Sequence, residues 1–259
     1  MKLSYLYYKI IRGALRMNFP HAKTVYEEQP GDEPAIFVCN HSAVRGPVMM
    51  TLDFQRKHQT WTVSYAMDGS HTISYAYHDI LFGNSRRFKG FWRILSRIVA
   101  KGLPPLLCYS DTIPVYHDKS IVKTFKQSVR ALTDGEDLVI FAESPKRYSE
   151  YVCELQPGFI DVARLYYRKS NKAIRFYPVY LEKKNAVISV GRPIAYDPDQ
   201  PLDKQRDTIA SYLRDNIDRL ARALPAHKPV PFLPDRWYRA YGMYEDDVYG
   251  YWKMIERNE

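Results

Sequence analysis

Two short stretches of the chain are apolar without a break. One is Ala35-Ile36-Phe37-Val38-Cys39; the other is Leu138-Val139-Ile140-Phe141, which follows Asp137. Runs this short, bounded by polar residues, predict strands buried on both faces, as inside a parallel sheet. Residues 61–65, 112–115, 173–181 and 186–190 predict further strands. Between them the pattern changes to helical spacing. Over residues 1–17, Leu3, Leu6, Tyr7, Tyr8, Ile10, Ile11, Ala14 and Leu15 fill one broad face, with Lys2, Lys9, Arg12 and Arg16 opposite and Tyr5 among them. A helix over 47–57 has Pro47 near its first position. Others are predicted over 86–101, 120–132, 159–168 and 204–224, the last carrying Ile209, Leu213, Ile217 and Leu220 on one face. Strands alternating with helices predict an α/β fold, a single domain with a mostly parallel central sheet flanked by helices. The expected divisions are an amphipathic helix and linker (1–30), the α/β domain (31–224) and a Pro- and Tyr-rich arm (225–259).

Charge narrows the partners. The 259 residues carry 38 Lys and Arg against 29 Asp and Glu, a formal net charge of +9. Such a balance favours a polyanionic partner: nucleic acid, anionic lipid or a phosphorylated substrate. Aromatic and basic residues together can bind single strands, but neither an RNP-like nor a helix-turn-helix pattern occurs, so nucleic acid is not expected. The helix over 86–101 points instead to a membrane surface. Phe88, Phe91, Trp92, Leu95, Ile98 and Val99 share one arc, with Arg86, Lys89, Arg93, Arg97 and Lys101 opposite and no acidic residue among them. No apolar run is long enough for a transmembrane helix and no signal peptide is read. Cys39, Cys108 and Cys153 lie far apart, which predicts reduced thiols, a cytoplasmic setting and no structural zinc or other metal. Oligomeric state is left open.

Ligands of open α/β sheets collect at the carboxyl ends of strands. The first buried strand ends in Asn40-His41-Ser42, and the second in Ala142-Glu143-Ser144-Pro145-Lys146-Arg147. The strand over 112–115 leads to Tyr116-His117, and Tyr177-Pro178-Val179 lies in another strand. An imidazole, with an ordinary pKa near neutrality, is a suitable general base. There is no Walker A loop, dinucleotide fingerprint, zincin helix or G-x-S-x-G elbow.

In this order the four blocks resemble those of the glycerolipid acyltransferase superfamily, whose best-known members are the lysophosphatidate acyltransferases. Its first block is N-H-x-x-x-x-D; its second a G-x-I-x-x-x-R-like segment; its third F-P-E-G-T-R; its fourth V-P-V. The resemblance covers roughly residues 30 to 192 and departs from the family in places. The motif aspartate falls on Gly46, the second block's arginine falls on His117 or slips to Lys119, and Ser144 and Lys146 replace Gly and Arg of the third. What the resemblance implies is an O-acyltransferase that uses acyl-CoA or acyl-carrier protein as co-substrate and no cofactor. Its acceptor would be a lysophospholipid or glycerolipid hydroxyl, and it would work peripherally on the inner face of a membrane. His41 would be the base. Asn40, Ser42, His117, Glu143, Ser144, Lys146 and Arg147 would bind substrate. Asp68, Asp79, Glu143 or a backbone carbonyl would orient the imidazole where Gly46 cannot. The competing expectation is a catalytically impaired member of the same fold that binds lipid or acyl donor.

Overall fold

The computed structural model describes residues 3–43, 45–67, 69, 71–81, 83 and 86–233. From the N-terminus the elements are α1 (Leu3–Asn18), β1 (Lys23–Tyr26), β2 (Ala35–Cys39), α2 (Arg45–Asp53), β3 (His58–Val63) and the short α3 (Thr72–Tyr75). A π-turn, Ala76–Ile80, continues α3. Then come α4 (Lys89–Cys108), β4 (Thr112–Val115), α5 (Ile121–Thr133), β5 (Asp137–Ile140), β6 (Glu143–Arg147) and β7 (Cys153–Leu155). The chain goes on through α6 (Asp161–Ser170), β8 (Arg175–Glu182), β9 (Val187–Val190), β10 (Ile194–Ala195) and α7 (Leu202–Ala223).

The main sheet runs β1-β9-β8-β2-β5-β3-β4, with β10 paired to β8. β2 lies at its centre, parallel to β5 on one side and to β8 on the other. All five of its residues are buried, as the unbroken apolar run predicts. β3 and β4 extend the parallel part, and β1 pairs in parallel with β9. The pairings β8–β9 and β8–β10 are antiparallel. The core fills both faces. On one, Ile36, Val38, Leu138 and Ile140 meet α5, α6 and α7 through residues such as Leu132, Val162 and Leu213. On the other, Phe37, Met50 and Phe54 pack with Tyr177; Phe37 stacks on Tyr177 at 5.1 Å between ring centroids.

Three features differ from the sequence expectation. β1 lies in the stretch read as helix and linker, and its edge pairing with β9 joins that stretch to the sheet. The charged segment after β5, read from the sequence only as a strand end, is itself a strand, β6, and it pairs with β7 in a separate two-stranded sheet. The basic helix runs on from Lys101 to Cys108 despite Pro104 and Pro105. It packs on α1, where Gly102 admits the Tyr7 hydroxyl so closely that a Cβ would lie 2.0 Å from it. The buried side of α4 is made of small residues, Ser96, Ala100 and Gly102, not of the apolar arc. Phe91, Ile94 and Ile98 point outward, 59%, 60% and 63% exposed. Among the described residues no helix is long and apolar enough to cross a membrane.

Candidate active site

Because β2 and β5 are neighbours in register, residues about a hundred apart in sequence come together beyond their carboxyl ends. Asn40 fixes the end of β2. Its Oδ1 accepts the Leu181 N–H at 2.7 Å, which ties β2 to β8. His41 follows, and the chain turns sharply through two residues in the left-handed region, Ser42 at φ 46° and Ala43 at φ 51°. Neither is glycine, so each costs roughly 1–2 kcal/mol, which the surroundings must offset. Strain of this kind concentrates at functional sites. Here its effect is visible: the Ala43 carbonyl folds back to 2.7 Å from His41 Nδ1. A carbonyl can only accept, so in the neutral ring Nδ1 carries the proton and Nε2 is left basic.

Gly46, where the family motif has its aspartate, begins α2 directly beneath this turn. A Cβ there would lie 2.4 Å from the His41 carbonyl oxygen and 3.1 Å from that of Asn40. Position 46 therefore has no room for a carboxylate in this backbone, and the orienting partner of the imidazole is a main-chain carbonyl. Of the carboxylates considered for that task, Asp68 lies outside the described residues. Asp79, on the π-turn, acts on the ring through its charge. Burial lowers the His41 pKa, while the Asp79 charge and the Ala43 carbonyl push it back up. The net direction is downward, which keeps the imidazole neutral and able to take a proton near pH 7.

Glu143 opens β6 and points inward. Its two oxygens accept from two backbone donors: Oε1 from Cys153 N–H at 2.7 Å, and Oε2 from His41 N–H in a short contact. The side chain thus joins the β6–β7 hairpin to the backbone of His41. Burial pushes its carboxyl up to about 7, against the two N–H donors that favour the charged form.

His41, Asp79, His117 and Glu143 line a cavity of about 430 Å³, within the usual range for ligand sites. The rest of its wall is largely apolar, with Leu15 of α1, Leu103 and Leu107 of α4, and Trp61 and Ile140 of the sheet. Its further reach passes Tyr8, Arg12, Thr51 and Ser110, which also border a smaller polar cavity of about 160 Å³. The remaining expected residues are not part of this wall. Asn40, Ser42 and Ser144 are buried in the supporting turn and hairpin, and Lys146 and Arg147 are exposed on β6. Phe232, singled out by no sequence signal, lies against His41 at 4.7 Å between ring centroids, and Phe141 lies at 5.3 Å. Among the described residues no cluster of His, Cys, Asp and Glu is placed to hold a metal ion.

No family model matches the chain, and no curated protein matches it. Among solved structures, the chain is similar to the crystal structure of the 1-acyl-sn-glycerophosphate (LPA) acyltransferase PlsC from Thermotoga maritima. Identity is 13%, over 87% of this chain and 82% of that one, with a TM-score of 0.47. At that score the likeness carries no weight for function, which has to be read from the site's own geometry.

Proposed function

We propose that the protein is an O-acyltransferase that moves a fatty acyl group from acyl-CoA or acyl-carrier protein to a lysophospholipid or glycerolipid hydroxyl. The observation that carries this reading is His41: an imidazole oriented by the Ala43 carbonyl, standing in the wall of a mostly apolar cavity. In the reaction, His41 Nε2 takes the proton of the acceptor hydroxyl as its oxygen attacks the thioester carbon. The C–S bond then breaks, and the proton passes to the departing thiolate. The apolar wall suits an acyl chain. Glu143 acts as a positioning residue that holds the His41 backbone. The negative Asp79 favours the imidazolium formed on the way. His117, in the same wall, is the remaining candidate for substrate contact. Incubation with labelled palmitoyl-CoA and a panel of lysolipids tests the reading. A labelled diacyl product is expected, and its absence with every acceptor and donor would remove it.

The room missing at Gly46 favours one second reading, a lipid- or acyl-donor-binding protein of impaired activity. Palmitoyl-CoA that binds with ordinary affinity but is never consumed would select it.

The proposed partner surface is a membrane. Leu6 and Ile10 of α1 and Phe91, Ile94 and Ile98 of α4 are exposed apolar residues, and Lys89, Arg93, Arg97 and Lys101 are exposed on the same helix α4. Each cation near an anionic surface contributes about 1 kcal/mol, screened by salt. Arg93→Glu with Arg97→Glu is expected to release the protein from phosphatidylglycerol vesicles in co-sedimentation at low salt. Equal sedimentation of variant and wild type would take the surface off α4.

A further inference from the structure

After α7 the described residues stay on the domain. Residues 224–233 run back along it, with Pro225, Pro229 and Pro231 restricting the backbone. His227 ties the segment down. Its Nε2 lies 2.9 Å from the Tyr180 hydroxyl, its Nδ1 2.9 Å from the Pro225 carbonyl oxygen, and its ring 5.3 Å from that of Tyr151. Tyr180 belongs to β8, the strand beside β2, so the tie is made one strand away from the one that ends at His41. At the far end Leu233 is buried, 2% exposed, and Phe232 sits on the His41 ring and in the cavity wall.

An anchored segment that lays a phenyl ring against the His41 imidazole stands where it can limit what reaches that imidazole. We infer that residues 224–233 are a strap whose Phe232 keeps water off His41, which makes it a positioning residue that favours transfer over hydrolysis. This rests on the acyl-transfer reading. A base that deprotonates an acceptor hydroxyl deprotonates water equally well. The water oxygen would bond to the thioester carbon, the C–S bond would break, and the proton would travel through His41 to the thiolate, releasing free fatty acid. Excluding water from the site is how such a loss is avoided. The ring serves because it fills space beside the imidazole and offers no hydrogen bond to a water molecule.

Two measurements test the strap separately from the chemistry. The first is carbethoxylation of the His41 peptide by diethyl pyrocarbonate, followed by mass spectrometry. It is expected to be severalfold faster in Phe232→Ala than in wild type, and restored toward wild type in Phe232→Leu. His227→Ala, which cuts the tie to Tyr180 and leaves the ring, is expected to fall between. Equal rates in wild type, Phe232→Ala and His227→Ala would overturn the strap whatever the enzyme does. The second is hydrolysis of palmitoyl-CoA without acceptor. It is expected to rise severalfold in Phe232→Ala while its ratio to transfer with acceptor rises too. An unchanged ratio, with His41 more reactive, would overturn water exclusion. If His41→Ala consumes palmitoyl-CoA as fast as wild type, the acyl-transfer reading fails, and the carbethoxylation rates alone decide whether the strap covers His41. Circular dichroism confirms the fold of each variant.

Discussion

The segments that leave β2 and β5 start side by side at the carboxyl edge of the sheet, and both carry polar residues straight after a buried strand. They end in opposite uses. After β2 the chain makes a two-residue left-handed turn, and His41 keeps its ring in the cavity wall. After β5 it makes a hairpin. Glu143 turns inward onto two backbone N–H groups, and Lys146 and Arg147 turn outward to solvent. The difference lies in the donors around each group. A carboxylate that meets two unpaired N–H groups is consumed in holding the chain. An imidazole with one nitrogen on a carbonyl keeps the other for chemistry. Adjacent positions in a sheet do not imply adjacent roles.

The contrast is tested most sharply at its reactive member. His41→Ala is expected to lower acyl transfer by about 10²–10⁴-fold, the usual worth of a general base, with little change in the unfolding midpoint. A variant that keeps most of its activity would remove the base from this side of the comparison.

Glu143→Gln is expected to act on stability as well as rate. The amide presents an N–H₂ where one of the two backbone donors needs an acceptor, which costs about 1–3 kcal/mol in denaturant unfolding. The pH dependence has a defined sign. The folded carboxyl titrates near 7 and the free group near 4.5, so the unfolded chain gives up its proton first as pH rises. The contribution of Glu143 to stability is therefore fully present below about 4.5 and is lost as pH rises through about 7. Glu143→Gln is expected to flatten that part of the pH–stability curve. An unaltered curve would assign the anchor to another group.

Gly46→Asp replaces the residue under the turn with the one the family motif has there. Its Cβ meets the His41 carbonyl, so the variant is expected to lose about 1–3 kcal/mol of stability and to gain no activity. A gain in kcat would show that the turn can rearrange to accept a carboxylate partner. The smallest effects are expected from Lys146→Ala and Arg147→Ala, whose side chains are exposed and outside the cavity wall: KM and kcat both stay close to wild type. A raised KM with kcat unchanged would show that the outer side of the hairpin binds donor or acceptor.

Much of this was legible in the residues. The short unbroken run 35–39, bounded by polar residues, predicts a strand covered on both faces, and 138–141 is its counterpart. Given two such strands, the polar residues after them, His41 and Glu143 among them, lie at the sheet's carboxyl edge. The exposed cations of α4 were readable from helical periodicity for the same local reason.

Tertiary structure decided the rest, because the deciding partners are backbone atoms or residues distant in sequence. No side-chain pattern announces that the Ala43 carbonyl orients His41, since every residue has a carbonyl. The lack of room at Gly46 comes from the main chain of residues 40 and 41 packed against it. The pairing of Glu143 with His41 spans 102 positions and follows from the parallel register of β2 and β5. β6 has no alternating apolar pattern to reveal it, β7 is only three residues long, and their pairing is irregular between Glu143 and Arg147. Phe232 lies 191 positions from His41 (232 less 41), in an arm whose prolines restrict the backbone without saying where it goes. Periodicity encodes which face of an element is covered; it does not encode what covers it, and at this site the covering groups set the chemistry.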